Sequence, residues 1–172
     1  MPEPTALQQF FAGYQCFVCS PAHQNEKGLH LVFTETADGA RTEFRVSSHY
    51  HSYPGVLHGG VITAILDETI AYASLFKFRL LPFTRNLQLN FRRGVRPGAL
   101  HVCTARLIET REDGFRGEAV IQDERGTRLV QAAGDFVYPT IEMAERMTAG
   151  LDLGPVRQFF RGGVSKDTGQ EA

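Results

Sequence analysis

The stretch from His58 to Phe76 constrains the fold most, because it has helical spacing and almost no polar face. Its larger apolar residues point in every direction around a helix: Val61, Ile62, Ile65, Leu66, Ile70, Leu75 and Phe76. A helix that is apolar all round is buried by other parts of its protein. The sequence therefore predicts one long central helix that the rest of the chain must enclose.

Six segments with the composition of β-strands flank this helix, two before it and four after it. They are Leu29–Thr34, Arg41–Val46, Thr84–Phe91, Ala99–Thr110, Phe115–Gln122 and Thr127–Tyr138. The sequence Asp38-Gly39 between the first two is a strong hairpin signal, and glycine and aspartate recur in the later connections. We expect the four later strands to form consecutive hairpins. The fold class is then α+β, an antiparallel sheet wrapped around one long helix.

A chain of 172 residues can bury a single core of ordinary size, and no internal repeat divides it. We expect residues 28–139 to form the domain and residues 1–27 to pack on it as an amino-terminal segment. Residues 140–161 are expected to form a helical extension, with a short helix from Thr140 to Ala149. Residues 162–172 are polar and are expected to be a loose tail.

The charge balance narrows the range of partners. The chain has 18 Lys and Arg against 19 Asp and Glu, a net charge of -1, so it lacks the basic surplus that nucleic acids require. It also lacks a run of about 18 apolar residues and a basic, then apolar, amino-terminal signal. We expect a cytoplasmic protein with no nucleic-acid or membrane partner, whose cysteines stay reduced.

Asp67 and Glu68 are two carboxylates in the middle of the apolar helix, where unpaired charge is costly. Helical spacing places Asp67 on a stripe of mostly small residues: Gly60, Thr63, Ala64, Asp67, Ala71 and Ser74. Small side chains leave room for a second surface, so we expect Asp67 to face a cleft. Glu68 points about 100° away and is the weaker candidate for chemistry, with pairing to an arginine as its alternative role.

The helix begins at His58-Gly59-Gly60, where free backbone amides carry a partial positive charge and glycines let a substrate approach closely. These amides suit an anion or a developing oxyanion. Asp67, however, lies about 13 Å farther along the same helix, so one helix cannot easily aim both groups at one atom. If two symmetry-related helices face each other, one protomer donates the amide and the other Asp67. We therefore expect a homodimer.

The segment YPGVLHGGVITAILDETIAYA, from Tyr53 to Ala73, resembles the hotdog-fold acyl-CoA thioesterases of the PaaI-like and THEM4-like branch. Further agreement comes from CFVCSP at Cys16, GLHL at Gly28 and TRNLQLNFRR at Thr84. The resemblance covers roughly Cys16 to Tyr138. It implies a hotdog fold and hydrolysis of acyl-CoA to a carboxylic acid and CoA, in a groove between protomers of a dimer, with pairing of dimers into tetramers.

The resemblance also implies roles for individual residues. Asp67 matches the catalytic acid, as general base or nucleophile, and Thr84 matches a hydroxyl that binds water or Asp67. The Gly59 amide, aided by Gly60, would polarise the thioester carbonyl, and His58 would orient the loop or contact the thioester. The CoA phosphates would meet Arg92, Arg93 and Arg96. Where some relatives carry Asn or Gln before Pro-Gly, this chain has His51 and Ser52, which become candidate substrate contacts.

Other interpretations of the same residues stay open. Asp67 also fits a buried structural acid, His58 a histidine that holds the loop, and the three arginines an ordinary solvated turn. Cys16 and Cys19 form one CxxC pair, which is a weak signal for zinc or redox chemistry without a second pair. We therefore expect a packed amino-terminal segment, no metal site, and no cofactor beyond the CoA of the substrate.

Two other functions fit the same fold. The first is a non-catalytic acyl-CoA binding or sensing module, which would bind CoA esters without releasing thiol. The second is a hydratase or dehydratase acting on an enoyl-CoA or carrier-bound acyl chain, but this sequence lacks the usual motif for that reaction, an Asp-His pair after the loop that precedes the helix.

Overall fold

The computed structural model describes residues 15–148 and 153–163, and the fold is reported for these residues. Six antiparallel strands form one sheet in the order β1-β2-β4-β5-β6-β3. The strands are β1 (Phe33–Thr36), β2 (Gly39–Phe44), β3 (Phe83–Phe91), β4 (His101–Arg111), β5 (Gly114–Asp123) and β6 (Arg128–Val137). Two α-helices accompany them, α1 (Gly59–Phe78) and α2 (Ile141–Met147). The predicted α+β class is confirmed.

Helix α1 packs mainly against β2, β4 and β5, and half of its residues are buried. The contact with β5 is close, since a Cβ atom added to Gly117 would lie 2.5 Å from Ile70 Cγ2. By length and hydropathy α1 could cross a membrane, but in this fold it is the core helix of the domain. It ends at Arg79, whose left-handed backbone (φ 57°) donates its N–H to the Leu75 carbonyl.

Two strand predictions need correction. β3 pairs with β6 rather than with its neighbour β4, so consecutive hairpins occur only in β4-β5-β6. The chain after β3 does not turn back. Its Val95 carbonyl accepts the N–H of Leu57 at 2.9 Å, which carries the connection past the start of α1 to the middle of the sheet. β1 starts at Phe33 rather than Leu29, because the Leu29 and Leu31 amides bond instead to the 17–18 segment.

β3 is an edge strand, and most of its side chains are exposed. Its register shifts between Thr84 and Asn86 opposite β6, which leaves Arg85 as a bulge. A bulge bends a strand and redirects the neighbouring side chain. Thr84, beside this bulge, reaches across to α1.

The structure describes part of each end of the chain. Residues 16–20 form a turn whose Val18 and Cys19 side chains are buried in the core. After β6 come α2 and a short 3-10 helix, Gly154–Phe159, within the predicted extension. Residues 1–14, 149–152 and 164–172, including most of the predicted tail, lie outside the described residues.

Candidate active site

Asp67 and Thr84, separated along the chain, meet at the edge of the domain. The Thr84 hydroxyl donates a hydrogen bond to Asp67 Oδ1 at 2.7 Å. Asp67 is half-buried, and burial raises its pKa while the bond from Thr84 opposes the rise. Thr84 is exposed on β3, so the pair borders the open edge of the sheet. The arrangement holds one carboxylate oxygen in place and leaves the other for a water molecule or substrate.

The stripe of small residues around Asp67 is open over part of its length. Thr63, Ala64 and Ala71 are partly exposed beside it. Ser74 is buried, and its hydroxyl bonds to the Tyr138 hydroxyl at 2.6 Å. The predicted cleft surface therefore extends along α1 as far as Ala71 and is closed at Ser74.

The start of α1 presents one free amide. The Gly60 N–H donates to His58 Nδ1 at 3.0 Å, and the Val61 and Ile62 amides bond to the His58 carbonyl. His58 is therefore the N-cap of the helix, with its Nδ1 as the unprotonated acceptor. Within the described residues the Gly59 N–H has no acceptor. Of the two predicted amides, Gly59 can meet an oxyanion while Gly60 is occupied by the cap.

Gly59 borders an open groove of about 360 Å³ between the start of α1 and the end of β3. Its lining includes Ser52, Tyr53, Gly59, Phe91, Arg92 and Arg93. Tyr53 and Phe91 are 75% and 51% exposed, which is unusual for large aromatic side chains. Neither aromatic was singled out from the sequence as a site residue. Their only signal was their place beside the Pro-Gly loop and at the end of the predicted strand.

The three predicted arginines line two neighbouring cavities, and Arg92 and Arg93 belong to the 360 Å³ groove. Arg93 also lines a neighbouring cavity of about 550 Å³, together with Arg96 and Arg125. Asp123 and Glu124 lie on its wall as well, so the cavity carries both signs of charge. Of the two predicted loop contacts, only Ser52 lines the 360 Å³ groove. His51 turns its Nδ1 to the Ser48 carbonyl and is exposed.

Asp67 does not line the groove that contains Gly59. The two residues are eight positions apart on α1, or about 12 Å at 1.5 Å per residue. Each chain therefore presents two half-sites, an acid with its hydroxyl partner and a free amide beside an aromatic groove.

Within residues 15–148 and 153–163, Glu68 does not pair with an arginine, its predicted alternative partner. The Cys16 thiol donates to Glu68 Oε1 at 3.5 Å instead. The amino-terminal segment brings Cys16 and Cys19 onto α1 one residue away from Asp67. The sequence did not connect this CxxC pair with Glu68.

Comparison with known proteins finds a family model that matches part of the chain. Residues 54–130, which contain Gly59, Asp67 and Thr84, match the thioesterase superfamily model. The search of curated proteins found no match to the chain.

Solved structures with the same fold include three informative relatives. A thioesterase superfamily protein is 22% identical with a TM-score of 0.62, and the match covers 66% of this chain but only 56% of that one. The E. coli PaaI protein from the phenylacetic acid degradation operon is 17% identical with a TM-score of 0.59, over 63% of this chain and 79% of its own. A Streptococcus mutans UA159 protein bound to acetyl CoA is 14% identical with a TM-score of 0.58, over 62% and 86%.

The structure has the hotdog fold of the thioesterase superfamily, as the sequence predicted. Its resemblance to the PaaI-like type of hotdog thioesterase is also confirmed.

Proposed function

We propose that the protein hydrolyses acyl-CoA thioesters to a free carboxylic acid and CoA at sites shared by two protomers. Each site would combine Asp67 and Thr84 of one protomer with Gly59 of the partner subunit. The observation that carries this proposal is the pair of half-sites on one helix, an acid and a free amide about 12 Å apart. At this separation the two groups of one chain are too far apart to act on one carbonyl group, and a two-fold axis would bring opposite halves together.

The free edge of β3 supports the location of that axis. In the part of the chain that the structure describes, β3 pairs only with β6, and its outer edge is exposed. Antiparallel pairing of two β3 edges would join the sheets of two copies and satisfy these backbone groups. It would also bring the groove beside Gly59 of one copy toward Asp67 of the other. We also propose that such dimers pair into tetramers.

The chemistry follows from the charges that develop during hydrolysis. Asp67 takes a proton from water as the water oxygen attacks the thioester carbonyl carbon. The carbonyl oxygen becomes an oxyanion and accepts the Gly59 N–H at the positive end of α1. When the tetrahedral intermediate collapses, the carbon–sulfur bond breaks, and the protonated Asp67 returns its proton to the sulfur, so that CoA leaves as the thiol. The same carboxylate could attack the carbonyl directly, and hydrolysis in ¹⁸O-water distinguishes the two routes by label in Asp67.

The two cavities suit the rest of the substrate. Tyr53 and Phe91 offer apolar faces beside Gly59, where an acyl chain or the pantetheine arm can lie. Arg92, Arg93 and Arg96 are exposed at or beside this groove, and guanidinium groups bind phosphate in a bidentate manner. We propose that these arginines bind the CoA phosphates, while His58 acts on the loop as a helix cap.

The test is a thiol-release screen over short, medium, long and aromatic acyl-CoAs, followed by Asp67→Asn on the best substrate. We expect the variant to lower kcat by at least ~100-fold with little change in KM, because it removes the base or nucleophile without removing substrate contacts. Asp38→Asn makes the same chemical change in the exposed β1–β2 turn and should keep wild-type turnover. Unchanged turnover in Asp67→Asn contradicts the proposal. Saturable CoA-ester binding without thiol release would identify a binding module instead.

A further inference from the structure

A second cluster of reactive side chains includes Glu68 of α1, which points about 100° away from the neighbouring Asp67. The ligand atoms of Cys16, Cys19 and Glu68 all lie within 4.8 Å of one another. Cys16 Sγ and Glu68 Oε1 are 3.5 Å apart. In tetrahedral zinc sites, Zn–S bonds of about 2.3 Å and Zn–O bonds of about 2.1 Å place sulfur and oxygen about 3.6 Å apart. The observed spacing therefore matches two ligands of one zinc ion.

The cluster also lacks a compensating positive charge. Among residues 15–148 and 153–163, Glu68 forms no ion pair with a lysine, arginine or histidine. Two thiols and a carboxyl group thus lie together with no ion-pair partner for the carboxylate in the described residues, and a divalent cation bound among them would supply the missing positive charge.

The backbone around the cysteines is arranged to support a bound thiolate. The Val18 N–H donates to Cys16 Sγ at 3.3 Å, and the tight turn closes with a bond from the Ser20 amide to the Cys16 carbonyl. Tyr72, one turn beyond Glu68 on α1, adds a further polar group. Its buried hydroxyl lies near Cys19 and has no hydrogen-bond partner in the described structure. A metal-bound water would give this hydroxyl a partner.

We propose that Cys16, Cys19 and Glu68 bind one zinc ion, which fastens the amino-terminal segment to α1 beside Asp67. Two thiolates and a carboxylate suit zinc, and a water held by Tyr72 or the Tyr72 hydroxyl itself completes four ligands. A Cys16–Cys19 disulfide is the competing state, but it would leave the half-buried Glu68 carboxylate without a partner. In the sequence the CxxC pair has no second CxxC pair to complete a site, and the fold supplies Glu68 as the further ligand. The role is structural and does not depend on the thioesterase proposal.

The test measures metal content and thiolate ligation in the full-length protein. Wild-type protein expressed in zinc-supplemented medium and purified without chelator should hold about one zinc ion per chain by elemental analysis. After exchange with cobalt(II), it should show thiolate-to-cobalt charge-transfer absorption. Cys16→Ser should lose this absorption and the zinc, and Glu68→Gln should hold metal more weakly. Cys103→Ala, which alters a buried cysteine on β4 outside the cluster, should keep both.

Three results would overturn the inference. One is fewer than about 0.1 zinc ions per wild-type chain together with no cobalt-thiolate absorption after exchange. Another is a Cys16–Cys19 disulfide found by mass spectrometry in freshly purified wild-type protein. The third is retention of the cobalt-thiolate absorption by Cys16→Ser. If Cys16→Ser does not fold, the wild-type cobalt spectrum decides alone, because it requires no variant.

Discussion

Replacing Gly59 with proline removes one backbone N–H and leaves the helix a sound start. Gly59 is the first residue of α1, the position at which proline is best tolerated because its missing N–H needs no partner within the helix. The residue before a proline must be extended, and His58 already is, with φ -62° and ψ 133°. A Cβ at position 59 would lie 3.6 Å from Phe91 Cζ, an ordinary contact distance. We expect Gly59→Pro to fold with nearly unchanged stability.

We expect Gly59→Pro to affect catalysis much more than it affects stability. Loss of one oxyanion donor costs about 2.7 to 4 kcal/mol in the transition state, or about 100- to 1,000-fold in kcat. The effect falls on kcat rather than KM, because the N–H meets full negative charge only in the tetrahedral intermediate. Gly59→Ala is the matched control, since it adds the same Cβ and keeps the N–H.

The assay is thiol release over a range of substrate concentrations, with thermal unfolding of both variants alongside. We expect Gly59→Pro to lose at least ~100-fold in kcat and Gly59→Ala to lose much less. Equal losses in the two variants would mean that the added carbon, not the missing N–H, is responsible. A Gly59→Pro variant with wild-type turnover would refute an oxyanion role for this amide.

Three further predictions concern neighbouring groups. Thr84→Val removes the hydrogen bond to Asp67 and should lower kcat by about 5- to 30-fold, worth about 1 to 2 kcal/mol, whereas Thr84→Ser should stay near wild type in the same assay. His58→Ala should lose about 1 kcal/mol of unfolding free energy in denaturant titrations because the N-cap is gone, and His58→Asn, which keeps a capping acceptor, should recover most of it. Burial lowers the pKa of His101, whose Nδ1 has no partner in the described residues. The contribution of neutral His101 to stability is therefore complete above about pH 6.5 and lost as the pH falls. His101→Phe should then make the free energy of unfolding fall less steeply at acid pH. Parallel pH profiles for the variant and the wild type would contradict this.

The elements with strong local patterns were predictable from the sequence. An apolar helix was expected over His58–Phe76, and α1 runs over Gly59–Phe78. The pairing of β3 with β6 was not predictable in this way, because strand order depends on the path of the connection after Phe91. That path is fixed by a backbone bond between Leu57 and Val95, which no local pattern signals.

For the candidate site, too, the sequence predicts the local features and not the tertiary contacts. Spacing on one helix placed Asp67 on an open stripe, and the family resemblance paired it with Thr84. The sequence could not tell which amide at the helix start is free, because this depends on the His58 side chain turning back to Gly60. It also could not bring Glu68 to Cys16, since 52 residues separate them and only the tertiary packing joins them.

The measurement that tests the central claim most directly is complementation between two inactive variants. Asp67→Asn and Gly59→Pro proteins are mixed, dissociated and allowed to exchange subunits, and exchange is checked by native mass spectrometry. If each site takes Asp67 from one protomer and Gly59 from the other, every mixed dimer regains one intact site. Random pairing then restores about a quarter of wild-type activity. Activity no higher than the average of the two variants, with exchange verified, would contradict a site shared between protomers.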